Sequence, residues 1–142
     1  MINSKLIYKV LGQLLFIEAF LLFISLLVAY YYQQDDIFAF IVATLITIGG
    51  GLILKWKGHG ADNSMSRRDA YLVVSLSWII FSLFGTLPFM VSGYINNFTD
   101  AYFETMSGFT TTGATILDDV ECVPHGLLFW RSLTQWIGGL GI

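Results

Sequence analysis

The stretch Phe109-Thr110-Thr111-Thr112-Gly113-Ala114-Thr115 is a polar, glycine-containing segment enclosed by apolar sequence. A short amphipathic stretch, residues 99–108, precedes it, and before that a long apolar run ends near Gly93. Another apolar run begins near Gly126. This order predicts an outer helix, a short re-entrant helix, an extended loop and an inner helix. Non-helical backbone at membrane depth persists only where it is buried in protein or lines an aqueous path, and an ion filter is one reason to place it there.

The composition indicates a membrane protein. Of the 142 residues, 56% are hydrophobic and 12% are charged, whereas soluble globular domains carry about 25% charged residues. The apolar run that follows Lys5 and Lys9 continues to Tyr32. It is too long for a signal peptide and has no small-x-small cleavage site, so we interpret it as a retained transmembrane helix. The single cysteine, Cys122, excludes an internal disulfide framework.

Three apolar segments long enough to span a bilayer precede the loop, at residues 6–32, 37–54 and 69–93. We therefore predict an all-α membrane protein with three parts. Residues 1–57 form an N-terminal transmembrane helix pair, residues 58–68 a cytoplasmic loop, and residues 69–142 a membrane-pore-membrane unit like that of potassium channels. In that unit an outer helix leads to a re-entrant pore helix, a filter loop and a truncated inner helix.

Local signals predict where several helices begin, end or bend. Ser66 or Asp69 is a suitable cap for the third helix, and Pro88 can kink or end it. Asn97 or Thr99 is expected to cap the short helix 100–107, with Gly108 at its C-terminus. The triplet at residues 49–51, Gly-Gly-Gly, permits either close contact with a neighbouring helix or a kink.

The distribution of charge predicts the orientation. Six of the seven lysines and arginines fall on one side of the predicted topology: Lys5, Lys9, Lys55, Lys57, Arg67 and Arg68. By the positive-inside rule, the N-terminus and the loop 58–68 are cytoplasmic. The segment 94–124 then lies toward the outside, with five acidic residues and no lysine or arginine.

The chemistry of the loop suits a monovalent cation. Such an ion must exchange its hydration shell for equivalent oxygen atoms, which rows of backbone carbonyls provide. An extended segment from Thr110 to Thr115 presents several carbonyls in sequence. Gly113 can adopt backbone angles closed to other residues, while β-branched threonines stiffen the rest. We expect ion-binding oxygens at Thr110, Thr111, Thr112, Gly113, Ala114 and Thr115. The alternative is a polar turn between two hairpin helices.

Three longer segments carry a family resemblance: SLFGTLPF at 82–89, FTDAYFETMSGFTTTGAT at 98–115 and GLLFWRSLTQWIGGLGI at 126–142. Together they resemble the first pore unit of the Trk/Ktr/HKT superfamily of potassium transporters, most closely its TrkH-type bacterial uptake subunits. The resemblance covers residues 67–142 in detail and the first two helices more loosely.

The resemblance implies one of four pore units, with K⁺ as the transported ion at Thr111, Thr112 and Gly113 and no other cofactor in this chain. Residues 111–115 take the place of the TVGYG filter of potassium channels. Gly113 corresponds to its first glycine, which favours potassium; serine at that position accompanies sodium preference in plant relatives. Ala114 and Thr115 replace the tyrosine and the second glycine.

The same resemblance implies a set of partners and a location. The partners are three further pore units of the full-length chain, a second copy in a homodimer, a TrkA-like cytoplasmic nucleotide-binding regulatory subunit, and membrane lipid. Nucleic acid is not among them. The location is the bacterial inner membrane, with several spans and a cytoplasmic N-terminus. We expect no enzymatic activity, because the sequence offers no nucleophile–base pair and places His59 and His125 on opposite sides.

A ring of loops needs four units, and this chain contains one. Its last apolar run stops on Gly-Leu-Gly-Ile without a basic anchor. We therefore expect a truncated transporter that conducts nothing by itself. Two alternatives remain open: a small subunit that assembles into a homotetrameric channel, and a non-conducting membrane scaffold.

Several charged residues outside the loop are further candidates. A membrane-embedded Arg131 needs a carboxylate, and a pair between Arg131 and Glu104 is expected to brace the filter; Asp118, Asp119 and Glu121 are alternative partners. The acidic segment 118–125 matches no tight zinc pattern and forms either an electrostatic vestibule or a solvated loop. Glu18 is near the membrane centre in the first helix, where we expect a structural role.

Overall fold

The computed structural model describes residues 1–141, and every regular element within that range is helical. The helices are α1 (Ser4–Tyr32), α2 (Ile37–Lys57), α3 (Arg67–Gly85), α4 (Leu87–Val91), α5 (Phe98–Phe109) and α6 (His125–Gly139). Three stretches are long and apolar enough to cross a membrane: Ser4–Tyr32, Ile37–Lys57 and Arg67–Val91, the last of which joins α3 and α4. The predicted all-α membrane fold is confirmed. At 12 residues, α5 is too short to span, as predicted for a re-entrant helix.

The first two helices form a closely packed antiparallel hairpin. A side chain on Gly12 would lie only 2.9 Å from the backbone nitrogen of Lys55 and 3.0 Å from the carbonyl oxygen of Gly51. The backbones therefore approach where small residues permit it, as is common between membrane helices. The triplet at 49–51 lies inside the uninterrupted helix α2, so the structure supports its role in close contact.

The third predicted helix is divided into two. It begins two residues earlier than predicted, at Arg67, because Ser66 and Asp69 form a reciprocal capping box. It ends at Gly85, and α4 starts again at Leu87 with a proline in its first turn. Pro88 has no backbone N–H to give to the carbonyl four residues earlier, so the helix is interrupted there.

The pore helix α5 extends further than its sequence signals predict. Asn97 caps it, and its side chain accepts a hydrogen bond from the backbone of Thr99 at 3.0 Å. The prediction that Gly108 ends the helix was wrong, since α5 continues to Phe109. Gly108 is needed for packing: a Cβ there would overlap with the hydroxyl of Thr134 in α6.

The start of α6 is capped by the turn between α1 and α2, 91 residues away in the chain. The backbone N–H of His125 donates to Gln34 Oε1 at 2.7 Å, and that of Leu127 donates to Asp36 Oδ2 at 3.2 Å. The His125 ring also stacks on Tyr32, with centroids 4.0 Å apart. Burial raises the pKa of the Asp36 carboxyl, while hydrogen bonds from the start of α6 oppose that shift. The N-terminal hairpin thus holds the N-terminal end of α6.

Helix α5 is clamped between α3 and α6. The Phe109 ring stacks on Phe81, with centroids 5.6 Å apart, and meets Trp130 edge-on at 6.4 Å. The indole N–H of Trp130 donates to the Gly85 carbonyl at 3.1 Å, which ties α6 to the end of α3. On the α6 side, Gly138 touches the backbone of Phe109 so closely that a Cβ would overlap with it.

This contact yields a matched pair of variants. Gly138→Ala must displace a backbone that cannot give way, whereas a Cβ on the adjacent Gly139 would lie 3.9 Å from its nearest neighbour, Thr111 Cγ2. Both changes bring the same gain in helix propensity, so their difference isolates the clash. We expect the free energy of unfolding of Gly138→Ala to be about 1–3 kcal/mol lower than that of Gly139→Ala. Thermal unfolding in detergent measures the difference. Equal stabilities would contradict the packing described here.

Candidate ion-selectivity loop

The loop that follows α5 is fastened to the end of that helix through its backbone N–H groups. The amide of Thr110 donates to the Met106 carbonyl at 2.9 Å, and that of Thr111 donates to Gly108 at 3.0 Å. The next amide, of Thr112, donates to the Ser107 carbonyl at 3.0 Å. These bonds satisfy carbonyls that a helix C-terminus otherwise leaves without partners, and they fix the direction of the loop.

Some carbonyl oxygens of the loop accept a hydrogen bond from the protein and others do not. The Ser107 hydroxyl donates to the Ala114 carbonyl at 2.6 Å. Within the described chain, the carbonyls of Thr111, Thr112 and Gly113 receive no hydrogen bond. Those three oxygens belong to the residues at which the family resemblance implies K⁺. Their occupation by an ion remains a prediction.

Two residues of the loop have left-handed backbone angles. Gly113 has φ +75°, which is easy for glycine, but Thr111 has φ +58°. Positive φ at a β-branched residue is a rare conformation that costs about 1–3 kcal/mol and is concentrated at functional sites. The threonines were expected only to stiffen an extended segment, so the sequence missed this feature of Thr111.

The far end of the loop is fixed by a buried carboxylate. Glu104, in the middle of α5, is 2% exposed. Its Oε2 accepts hydrogen bonds from the Thr115 hydroxyl at 2.9 Å and from the Ile116 amide at 3.1 Å. Its Oε1 accepts the Nε–H of Arg131 at 2.5 Å. One side chain therefore joins the pore helix, the exit of the loop and α6.

This geometry selects Arg131's partner from the four carboxylates considered. Asp118, Asp119 and Glu121 are exposed, and Glu104–Arg131 is the one ion pair found among residues 1–141. Because the pair is largely buried, removing one partner leaves an uncompensated charge, which typically costs about 3–5 kcal/mol. That this pair braces a filter remains our hypothesis.

Comparison with known proteins identifies the family. A family model described as a TrkH cation transport protein matches residues 33–142. The chain belongs to the TrkH family. It is 35% identical over 141 residues to the Trk system potassium uptake protein TrkH of Halomonas elongata, covering 99% of this chain and 29% of that protein. It is 33% identical to the Trk system protein TrkG of Escherichia coli, again over 29% of the relative's length.

The fold agrees with a solved structure of this family. The crystal structure of the potassium transporter TrkH from Vibrio parahaemolyticus superposes with a TM-score of 0.90 at 31% identity, covering 97% of this chain and 30% of that one. The resemblance stated from the sequence is therefore confirmed. The TrkH-family chain described here spans about three tenths of the length of these relatives.

The acidic segment after the loop forms local turns in this TrkH-family chain. Asp119 accepts hydrogen bonds from the Glu121 amide and the Cys122 thiol, both at 3.0 Å. These bonds hold the pKa of Asp119 below its ordinary value, and the same carboxylate raises the pKa of the Cys122 thiol. Residues 1–141 contain no group of three side chains arranged to bind a metal. The vestibule and the solvated loop both remain open interpretations.

Glu18, on α1, faces Gly85 at the end of α3, where Thr105 and Phe109 of α5 also pack. It is 2% exposed, and neither carboxylate oxygen has a hydrogen-bond partner within residues 1–141. A Cβ on Gly85 would lie 3.4 Å from Oε1. An ionised carboxylate without a partner is expensive in a membrane, so a neutral amide should replace it at little cost.

The first prediction for this site concerns Arg131. Arg131→Gln should unfold more easily than Arg68→Gln, because both remove one positive charge but only the former leaves buried Glu104 without its partner. The expected difference in the free energy of unfolding is about 3 kcal/mol, which thermal unfolding measures. In the gene extended past Ile142, Arg131→Gln should also change the competition between Na⁺ and ⁸⁶Rb⁺ for uptake. If expression, stability and selectivity all stay the same, the bracing hypothesis fails.

The second prediction compares two buried glutamates. Glu18→Gln should leave ⁸⁶Rb⁺ uptake by the extended gene intact and should not lower the unfolding temperature. Glu104→Gln, which is chemically the same change, should impair both, because it removes half of an ion pair. Loss of uptake in Glu18→Gln at normal expression would refute a purely structural role for Glu18.

Proposed function

We propose that this chain is the N-terminal helix pair and first pore unit of a potassium uptake transporter. One observation carries the proposal: the carbonyls of Thr111, Thr112 and Gly113 have no hydrogen-bond donor among residues 1–141, while the loop around them is fixed at both ends. In potassium channels, rings of free backbone carbonyls replace the hydration shell of the ion. The names of the relatives, Trk system potassium uptake proteins, support the choice of ion.

In this proposal Thr110, Thr111, Thr112, Gly113, Ala114 and Thr115 form one quarter of the filter. Each is exposed on the surface of this unit, as expected of a loop that faces other loops across a pore. The relatives' greater length leaves room for three further pore units. We infer that the unit conducts nothing alone, that the full transporter is a homodimer, and that a TrkA-like nucleotide-binding subunit regulates it from the cytoplasm.

The driving force in this mechanism is the membrane potential, worth about 2.3 kcal/mol per charge per 100 mV. The chain supplies binding and orientation and carries out no covalent chemistry, so we propose that it is not an enzyme. The C-terminal end of α5, which bears the negative end of the helix dipole, meets the loop and favours a cation there. The distribution of basic residues supports a cytoplasmic N-terminus, and the bacterial relatives support a location in the inner membrane.

Uptake of ⁸⁶Rb⁺ in cells that lack potassium transport tests the proposal. The gene extended past Ile142 should restore uptake, and Gly113→Ser should weaken discrimination against Na⁺. Gly93→Ser is the matched control: both glycines have positive φ, at +75° and +79°, and a Cβ at Gly93 would lie 4.0 Å from its nearest neighbour, Asn96 Oδ1, while Gly113 has open space there. The two variants therefore carry similar backbone strain, and only Gly113 lies in the loop.

Each outcome of this experiment separates the candidate functions. Equal effects of the two serine variants would contradict a filter at Gly113. Uptake by the 142-residue chain alone would favour a homotetramer of small subunits. No uptake from the extended gene, with normal membrane insertion, would favour a non-conducting scaffold.

A further inference from the structure

A polar recess lies between the cytoplasmic ends of α1 and α2, far from the loop. Its volume is about 260 Å³. We call it the headgroup recess; it is lined by Lys9, Gln13, Lys55, Gly58, His59 and Gly60. Nothing in the proposed transport mechanism uses these residues.

The two lysines of the headgroup recess have no acidic partner. Lys9 Nζ donates to the amide oxygen of Asn63 at 3.0 Å, and Lys55 Nζ lies 5.7 Å from the centre of the Phe16 ring. The one ion pair within residues 1–141 lies elsewhere, between Glu104 and Arg131. Two positive charges thus face the recess without compensation, which is the electrostatic requirement for binding an anion.

An apolar groove continues from the recess along the same hairpin. We call it the tail groove; it has a volume of about 320 Å³ and is lined by Phe16, Ala19, Phe20, Phe23, Thr44 and Ile48. The contact between Lys55 and Phe16 joins the two cavities, because Lys55 lines the recess and Phe16 lines the groove. On α1 the lining residues Lys9, Gln13, Phe16, Phe20 and Phe23 are spaced by three or four, so they share one helix face, and Ala19 lies beside Phe20. Phe20 is 62% exposed and Phe23 46% exposed, which leaves that face open to the membrane.

The combined length of the two cavities matches the thickness of one leaflet of a bilayer. From Lys9 to Phe23 the helix rises 14 residues, or about 21 Å at 1.5 Å per residue. Half of a bilayer that is about 40–45 Å thick, including its headgroups, is about 20–22 Å. A polar end at the cytoplasmic interface and an apolar groove that reaches toward the midplane are the shape and chemistry of a single phospholipid.

We propose that this face of the α1–α2 hairpin binds an anionic phospholipid of the cytoplasmic leaflet. The phosphate occupies the headgroup recess between Lys9 and Lys55, and an acyl chain lies in the tail groove against Phe20 and Phe23. Basic pockets between membrane helices on the cytoplasmic side recognise anionic headgroups in this way. The proposal rests on the cytoplasmic orientation proposed above, but it does not require ion conduction.

The test is to titrate the full chain, purified in detergent, with dioleoyl phosphatidylglycerol. Native mass spectrometry counts the lipid molecules that are bound. The double variant Lys9→Gln/Lys55→Gln should bind about 30-fold more weakly, since each lysine near a headgroup contributes about a fivefold effect. Lys5→Gln/Lys57→Gln removes the same charge outside the recess and should bind nearly as well as the unaltered chain. Matching unfolding temperatures confirm that both variants are folded.

A second pair of variants tests the tail groove. Phe20→Ala/Phe23→Ala should weaken binding about tenfold, because apolar area that the acyl chain covers is lost. Phe38→Ala/Tyr71→Ala removes two side chains that are 68% and 75% exposed and lie outside the groove, and it should change little. Glycerol phosphate and inorganic phosphate, which have no acyl chain, should compete only weakly with the lipid.

Four results would overturn the proposal. Equal weakening by the two lysine pairs would mean diffuse attraction to anionic lipid. If dioleoyl phosphatidylcholine bound as tightly as dioleoyl phosphatidylglycerol, the lysines would not recognise the charge of the headgroup. Tight binding of inorganic phosphate would mean a site for a free anion. A dimer that dissociates in Lys9→Gln/Lys55→Gln would mean that a second copy covers this face. Because none of these readouts involves Rb⁺, they leave the proposed transport function to stand or fall separately.

Discussion

The buried contact between Glu104 and Arg131 is the constraint on which the loop depends. An ionised carboxylate that is 2% exposed, as Glu104 is, carries a large desolvation cost unless an opposite charge lies beside it. Arg131 supplies the opposite charge from α6, and the Thr115 hydroxyl and Ile116 amide occupy further lone pairs. Because all these donors converge on one side chain, the pore helix, the inner helix and the exit of the loop cannot move independently. A rigid exit is what a row of carbonyls needs if its oxygens are to hold a fixed spacing.

The entrance of the loop is fixed by different means. Here no charge is involved; backbone amides bond to the end of α5, and α5 itself is held by close contacts at three glycines, Gly85, Gly108 and Gly138. These contacts place neighbouring backbone or side-chain atoms where a Cβ would be. With both ends secured, the surrounding structure can sustain the unfavourable backbone angle of Thr111. Strain at that residue is therefore a consequence of the anchoring on either side of it.

The sequence predicted most of what depends on local pattern. Apolar length predicted the spans, and the polar residues near the start of α3 and α5 limited each cap to two candidates, of which the structure uses Ser66 and Asn97. The sequence did not predict those features that depend on a contact with a distant segment of the chain. Gly108 resembles a helix terminator in isolation, but Thr134 of α6 gives it a packing role. Gln34 and Asp36 cap α6 from 91 residues away in the chain, and no local sequence pattern predicts that contact. The sequence favoured Glu104 as the partner of Arg131 but left three other carboxylates as alternatives, and the fold shows the contact with Glu104.

The N-terminal hairpin connects the two ends of the molecule. The turn between α1 and α2 caps α6 through Asp36 and Gln34, and α6 carries Arg131, which holds the exit of the loop. The opposite end of the hairpin carries the headgroup recess, on the same pair of continuous helices. The close approach of Gly12 to Gly51 makes that pair a compact unit. A phospholipid in the proposed site would thus fix the depth and tilt of the hairpin in the bilayer. Since the hairpin is fastened to the start of α6, that depth would set the level at which the loop lies in the membrane.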